Sequence, residues 1–125
     1  MSHRSYHPER GDLVHMNFSP SAGHEMAERH YALVLSPLKY NRRSGMAIVC
    51  AITSRGRGWP FEVEVPPGLL PPKAGVGAVR SVIVADAVRQ VDYREREAAF
   101  VAGAPPEVVE QVLDKLLAVL EEHSE

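Results

Sequence analysis

Apolar residues in the first three quarters of the chain form short runs or alternate with polar residues, which is typical of β-strands. The predicted strands are Asp12–Phe18, Tyr31–Ser36, Met46–Thr53, Phe61–Val65, and then either the pair Val79–Ala85 and Val88–Asp92 or one strand interrupted at Asp86. The predicted connections are the loops Ser19–Ala27, Ser54–Pro60 and Pro66–Gly77, and a helical turn at Lys39–Gly45. Five or six short strands in so few residues favour a small barrel over a sandwich.

The C-terminal part of the chain has a different period. Its apolar residues recur at the spacing of one helix face, at Val108, Val109, Val112, Leu113, Leu116, Leu117 and Leu120. Pro105 and Pro106 suit a first helical turn, and Glu107 and Glu110 complement the positive end of the helix dipole. We therefore predict a mainly β fold with α, in which a C-terminal amphipathic helix packs its apolar face on the barrel.

Length and composition fit one domain spanning residues 1–125, because 45% hydrophobic and 24% charged residues are ordinary values for a globular protein. The single cysteine, Cys50, excludes an internal disulfide framework and gives no sign of an oxidising compartment. No apolar run approaches the roughly 18 residues of a membrane span, and the N-terminus does not resemble a signal peptide. We expect a cytoplasmic protein without membrane contact.

The formal net charge of −2 is unevenly distributed along the chain. Residues 103–125 contain six acidic residues and one lysine, net −5, so the other 102 residues carry +3. From position 29 to position 61 there is no acidic residue, and the six cations of this stretch are Arg29, Lys39, Arg42, Arg43, Arg55 and Arg57. Such a stretch is a candidate surface for a polyanion, although scattered solvated charges would give the same composition.

Five motifs in a fixed order carry a resemblance to a known family. They are Gly11-Asp12-Leu13-Val14 with Asn17-Phe18-Ser19-Pro20 and Gly23-His24-Glu25; Ala32-Leu33-Val34-Leu35-Ser36-Pro37 with Tyr40-Asn41 and Gly45-Met46; Ile52-Thr53-Ser54; Gly58-Trp59-Pro60-Phe61-Glu62-Val63; and Val84-Ala85-Asp86-Ala87-Val88-Arg89. Through these motifs the chain resembles the MazF/PemK toxins over nearly its whole length, from Arg10 to Glu122.

The resemblance implies a small SH3-like barrel of the CcdB/MazF type that forms a homodimer. It also implies the toxin of a toxin–antitoxin pair, neutralised by a MazE-like antitoxin whose acidic disordered tail would suit a cationic surface. The implied activity is metal-independent, cofactor-free cleavage of single-stranded mRNA. In that reaction the substrate's own 2′-hydroxyl attacks the phosphate, leaving a cyclic phosphate and a 5′-hydroxyl end.

This chemistry needs proton transfer at two oxygens and donors around a phosphorane that gains negative charge. In the family, an arginine before the second strand and a threonine after the third are the usual catalytic pair. Thr53 matches the threonine, and its hydroxyl can donate to a phosphate oxygen. The arginine position is a departure, because His30 and Tyr31 stand where the family has arginine and proline, and Arg29 lies one residue earlier.

Three interpretations of this departure stay open. Either His30 occupies the catalytic position, or Arg29 reaches it through a bulge or a shifted loop, or the site is weakened and only binds RNA. We favour His30 as the acid/base, because an imidazole can take and give a proton near neutral pH whereas a guanidinium hardly releases one. Arg29 or Arg55 would then neutralise the phosphate. Glu25 would orient the cationic group or accept a proton.

The glycine-punctuated loop after Thr53 is the predicted RNA-binding element, because cations attract phosphates and an aromatic ring can stack a base. The predicted RNA-binding residues are Ser54, Arg55, Arg57, Lys39 and Asn41. Trp59 is expected to pack as core beneath the loop, since Pro60 and Phe61 follow it directly and large aromatic residues are usually well buried.

Metal and covalent chemistry have little support in the sequence. The six histidines lack the spacing of metal ligands, and a mid-strand cysteine such as Cys50 is typically an inert core residue. The alternative function is a catalytically weakened or non-catalytic protein on the same barrel, which binds RNA or, like the related CcdB family, grips a protein target.

Overall fold

The computed structural model describes residues 6–17, 29–72 and 80–121, with Arg29 described through its backbone. The helices and strands of these residues are β1 (Asp12–Asn17), β2 (Arg29–Val34), α1 (Leu38–Ser44), β3 (Met46–Thr53), β4 (Glu62–Glu64), β5 (Val82–Asp92), β6 (Ala99–Gly103) and α2 (Pro106–Glu121). The strands form one antiparallel sheet in the order β4-β5-β3-β2-β1-β6. The predicted class, mainly β with a curled, barrel-like sheet and a C-terminal helix, is confirmed.

Two features of the sheet differ from the predicted strands. β5 is a single strand of 11 residues, and its register against β3 shifts between Cys50 and Ile52. A bulge of this kind bends a strand and increases its twist, so it helps the sheet to curl. β6 was not predicted, because Ala99–Gly103 has no alternation of apolar and polar residues, and its pairing with β1 makes it a strand. Phe18, the loop 19–27 and residues 73–77 of the predicted long loop lie outside the described residues.

The sheet buries apolar side chains on both faces, because side chains alternate along each strand. One buried cluster includes Leu13, Leu33, Cys50, Ile52, Val63 and Ile83 together with Val108, Val109 and Val112 of α2. The other includes Val14, Met16, Ala32, Val34, Ala47, Val49, Val91 and Tyr93. β3 contributes to both clusters, with Cys50 and Ile52 on one face and Ala47 and Val49 on the other.

α2 packs on the sheet from Val108 to Leu116 and not through its last turn. Val108, Val109 and Val112 are buried there, against β5 and the short strand β4. Leu117 and Leu120 are 47% and 69% exposed, although the sequence places them on the same apolar stripe. The expectation that the whole stripe packs on the barrel is therefore wrong for its last turns, because the helix runs on beyond the strands that cover its beginning.

Candidate active site

His30 and Thr53 lie on adjacent strands at one rim of the sheet. β2 begins and β3 ends at this rim, since the strands are antiparallel and Val34 pairs with Val49. The paired part of the two strands ends at Ala32 and Ala51, and His30 and Thr53 each lie two residues beyond that pair. Because side chains alternate between the two faces of a sheet, both residues belong to the face that carries Val34 and Val49. The fold thus places two residues that are 23 positions apart in the sequence at the same rim of the sheet.

The Thr53 hydroxyl is oriented by its own chain. Its oxygen accepts a 3.0 Å hydrogen bond from the backbone N–H of Arg55, which leaves the hydroxyl proton free to be donated. Thr53 is half-buried, opposite Val82 of β5, whereas His30 is exposed. An accessible imidazole and an oriented hydroxyl at one rim can together transfer a proton and donate a hydrogen bond to an anionic oxygen.

Residues 54–61, called the β3–β4 loop below, continue directly from Thr53. Arg55 and Arg57 are exposed on this loop, and Trp59 is 52% exposed. The expectation that Trp59 packs as core is wrong. A turn, closed by a 3.1 Å hydrogen bond from the backbone N–H of Glu62 to the carbonyl of Trp59, leaves the indole outside the core. The loop therefore presents two cations and one aromatic ring to solvent.

The β3–β4 loop also borders a cavity of about 300 Å³. Its lining residues are Ser54, Gly56, Gly58, Glu62, Arg80 and Val82. Ser54 was predicted as an RNA-binding residue, whereas no role was predicted for Glu62 or Arg80. One signal for Glu62 was available, because it is the first acidic residue after the acid-free stretch and directly follows the glycine-rich loop.

Lys39 lies far from this rim. It is an exposed residue of α1, which precedes β3, whereas Thr53 ends β3. Eight strand residues separate the two ends of β3, a distance on the order of 20 Å at the usual rise per residue. The acid-free stretch is therefore split into two cationic regions, one on α1 and one on the β3–β4 loop.

Asn41 is an interior residue, so the prediction that its side chain binds RNA is wrong. It is 0% exposed, and its amide nitrogen donates to the carbonyl oxygens of Pro8 at 2.7 Å and Ser36 at 3.0 Å. Its amide oxygen accepts a 2.6 Å hydrogen bond from the Ser36 hydroxyl. The bond to Pro8 connects α1 to the N-terminal segment. The buried amide has hydrogen-bond partners inside the protein, as buried polar groups generally do.

Two residues of the predicted catalytic set are described only in part or not at all. The backbone of Arg29 pairs with Asn17 of β1, at the first position of β2. Its side chain and the whole of Glu25 lie outside the described residues. The part of the site contributed by the described residues is therefore His30, Thr53 and the β3–β4 loop.

Cys50 is a buried thiol in the middle of β3. Burial raises the pKa of the Cys50 thiol to about 12, because a thiolate would lose its hydration in the apolar interior. The side chain therefore stays a neutral thiol at physiological pH, consistent with the predicted inert core residue.

Two other kinds of feature are absent from the described part of the chain. Within 6–17, 29–72 and 80–121, no three His, Cys, Asp or Glu side chains are grouped as ligands of a metal ion. Neither of the two helices in these ranges has the length and apolar character needed to cross a membrane.

The sequence is similar to those of known toxins. Endoribonuclease toxin MazF of Escherichia coli (strain K12) is 33% identical over 112 residues, which cover 89% of this chain and 92% of that protein. Endoribonuclease toxin ChpB of the same strain is 38% identical over 117 residues, covering 90% of this chain and 94% of that protein.

Solved structures agree with the sequence comparison. MazF from Deinococcus radiodurans superposes with a TM-score of 0.76 at 43% identity, covering 94% of this chain and 100% of that one. A MazE–MazF structure from the same organism gives a TM-score of 0.80 at 43% identity, covering 95% and 100%. The model of the PemK-like, MazF-like toxins matches residues 9–120. The chain therefore belongs to the family of PemK-like, MazF-like toxins of type II toxin–antitoxin systems.

Proposed function

We propose that this protein is an endoribonuclease toxin that cleaves single-stranded mRNA without a metal ion and is neutralised by a MazE-like antitoxin. The observation that carries the proposal is the placement of His30 and Thr53 on adjacent strands, at the rim from which the β3–β4 loop extends. The exposed Arg55, Arg57 and Trp59 of this loop suit a flexible single strand, because they offer phosphate attraction and a stacking surface.

The proposed reaction is an internal transfer within the RNA. The 2′-hydroxyl loses its proton and its oxygen attacks the adjacent phosphorus, while the bond from phosphorus to the 5′ oxygen breaks. The leaving oxygen takes up a proton, so the products are a 2′,3′-cyclic phosphate and a 5′-hydroxyl end. Because the substrate supplies its own nucleophile, the protein has only to move protons and stabilise charge.

The roles of the side chains follow from their chemistry. His30 moves protons, because an imidazole can accept and donate them near neutral pH. Thr53 donates its hydroxyl proton to a non-bridging phosphate oxygen, since its own oxygen already accepts from Arg55. Arg29 or Arg55 neutralises the charge of the phosphorane, and Glu25 orients the cationic group or accepts a proton.

The proposed partners follow from the charge and apolar surface. The acidic tail of an antitoxin would cover the cationic β3–β4 loop and compete with RNA. The expected homodimer needs an apolar contact surface, and the exposed end of α2 with Leu117 and Leu120 is our candidate for it. The proposed site of action is the cytoplasm, where mRNA is available.

Incubation of the purified protein with a long mRNA and a metal chelator tests the proposal. We expect discrete fragments whose ends are a cyclic phosphate and a 5′-hydroxyl, and we expect Thr53→Val to form them about 100-fold more slowly. The replacement of the family's arginine and proline by His30 and Tyr31 favours a second candidate, an RNA-binding protein without catalysis. Intact RNA that is still retained by the wild-type protein would support this second candidate and refute the enzyme.

A further inference from the structure

The carboxylate of Glu62 is enclosed by the backbone of the β3–β4 loop. One of its oxygens accepts a 2.9 Å hydrogen bond from the N–H of Arg57, and the other accepts a 3.1 Å bond from the N–H of Gly58. Hydrogen bonds to a carboxylate are stronger than those between neutral groups, so both oxygens hold the middle of the loop to β4. The side chain of Glu62 therefore holds the backbone of the consecutive loop residues Arg57 and Gly58.

Two glycines allow the loop to close around this carboxylate. Gly58 has φ +76°, a conformation that residues with a Cβ adopt at a cost. A Cβ at Gly56 would lie 3.1 Å from a carboxylate oxygen of Glu62 and 3.2 Å from a methyl group of Val82. These distances are tighter than ordinary van der Waals contact, so only glycine fits at position 56 without moving its neighbours.

The loop is anchored at three further points. Its beginning is held by the bond from the Arg55 N–H to the Thr53 hydroxyl, and its end by the turn from Trp59 to Glu62. On the outside, the Lys115 ammonium of α2 donates a 2.6 Å hydrogen bond to the carbonyl of Pro60. These three contacts hold the two ends and the outer side of the loop, whereas the Glu62 carboxylate holds the segment between Arg55 and Trp59.

We propose that Glu62 is a positioning residue that holds the β3–β4 loop in its RNA-binding conformation before RNA arrives. This inference rests on the proposed RNA cleavage and adds to it a residue that does not touch the reacting atoms. A carboxylate on an RNA-binding surface repels phosphates, but here two N–H donors partly offset its charge. Ordering the loop in advance lowers the entropy that RNA binding must supply.

The experiment compares Glu62→Gln with Glu64→Gln. Both variants remove one negative charge from β4. Glu64→Gln also weakens the 2.9 Å ion pair between Glu64 and Arg80, so the electrostatic gain in RNA affinity is at least as large in this control as in Glu62→Gln. Only Glu62→Gln replaces an oxygen that accepts an N–H of the loop with an amide group that donates. Gly56→Ala is a second, independent disturbance of the same contact and leaves the carboxylate in place.

Trp59 is the single tryptophan of the chain, so its fluorescence reports on the loop alone. In RNA-free protein we expect lower fluorescence anisotropy of Trp59 in Glu62→Gln and Gly56→Ala than in wild type and Glu64→Gln. With a short labelled single-stranded RNA we expect both loop variants to raise KM about tenfold while kcat changes less than about twofold.

The outcomes separate this inference from the proposed function. Wild-type anisotropy in Glu62→Gln overturns the inference whatever the activity. So does lower anisotropy with unchanged KM, or a loss confined to kcat, because the carboxylate would then not act through RNA binding. If the wild-type protein does not cleave RNA, the proposed function is refuted. The positioning role of Glu62 is then tested by the Kd of each variant for the labelled RNA instead of by KM.

Discussion

The side-chain amide of Asn41 donates a 2.7 Å hydrogen bond to the carbonyl oxygen of Pro8, and both residues are fully buried. Pro8 belongs to an N-terminal segment that packs against α1, more than 30 positions away in the sequence. Without this bond the Pro8 carbonyl would be buried without a hydrogen-bond partner. Asn41 therefore stabilises the folded state.

Asn41→Ala is therefore expected to lower the free energy of unfolding by about 2–4 kcal/mol, since it leaves buried groups of Pro8 and Ser36 unpaired. Urea denaturation measures this change. The Kd for RNA, measured well below the melting temperature, should stay at its wild-type value. A variant of normal stability with weakened RNA binding would contradict the structural role.

His30→Ala and Thr53→Val should each lower kcat/KM for RNA by about 100-fold, because each removes a group that transfers a proton or stabilises charge in the transition state. Thr53→Ser, which keeps the hydroxyl, is the matched control and should retain most of the activity. Cleavage of a labelled RNA under single-turnover conditions gives the rates. If His30→Ala cuts as fast as wild type while Arg29→Ala is inactive, the assignment of proton transfer to His30 is wrong.

Arg55→Ala and Arg57→Ala should weaken RNA binding and make it less dependent on salt. Removing one cation that binds a phosphate lowers the slope of log Kd against log salt concentration by about 0.7 for a single strand. Arg94→Ala is the control, because Arg94 is also an exposed cation but lies in the turn after β5, near the end of β3 that lies away from Thr53. Equal slopes for the three variants would show that the β3–β4 loop has no special role in binding phosphates.

The buried thiol of Cys50 predicts a loss of stability at alkaline pH. Burial raises its pKa from 9.0 to about 12, so between these values the unfolded chain releases a proton that the folded protein retains. Stability is therefore unaffected by this group below pH 9 and falls as the pH rises towards 12, by up to about 1.4 kcal/mol per pH unit.

Urea denaturation of wild type and Cys50→Ala at several pH values between about 7 and 11 is the measurement. The alanine variant should be less stable at neutral pH, because it leaves a small cavity, by about 1 kcal/mol. Its free energy of unfolding should then fall less steeply above pH 9 than that of wild type. Parallel curves would show that the thiol does not control this part of the pH dependence.

The exposed end of α2 predicts the effect of charges on self-association. Leu117→Glu and Leu120→Glu should each raise the Kd of a homodimer by about 100-fold, because a charge would be buried in an apolar contact. Ala118→Glu adds the same charge to an exposed position of the same helix turn and serves as control. Light scattering across a concentration series reads the result, and unchanged dimers in both leucine variants would place the contact elsewhere.

Residue periodicity was sufficient to predict the mainly β class, most strands and the C-terminal helix, whereas α1 was predicted only as a helical turn at Lys39–Gly45. It was sufficient because alternation and helical spacing involve residues that are close together in the sequence. The burial of one face of a strand or helix follows from these two patterns. Thr53 and the cationic loop after it were also predictable, since they are continuous in the chain and need no distant partner to be recognised as a unit.

Burial and long-range partners were decided by the tertiary structure. The pairing of β6 with β1, the exposure of Trp59 and of the end of α2, and the burial of Asn41 each depend on segments distant in the sequence. The same holds for the separation of Lys39 from the β3–β4 loop by the length of β3. A local pattern specifies which face of a helix or strand is apolar. Only the packed chain specifies which residues cover that face and how far along the helix or strand they cover it.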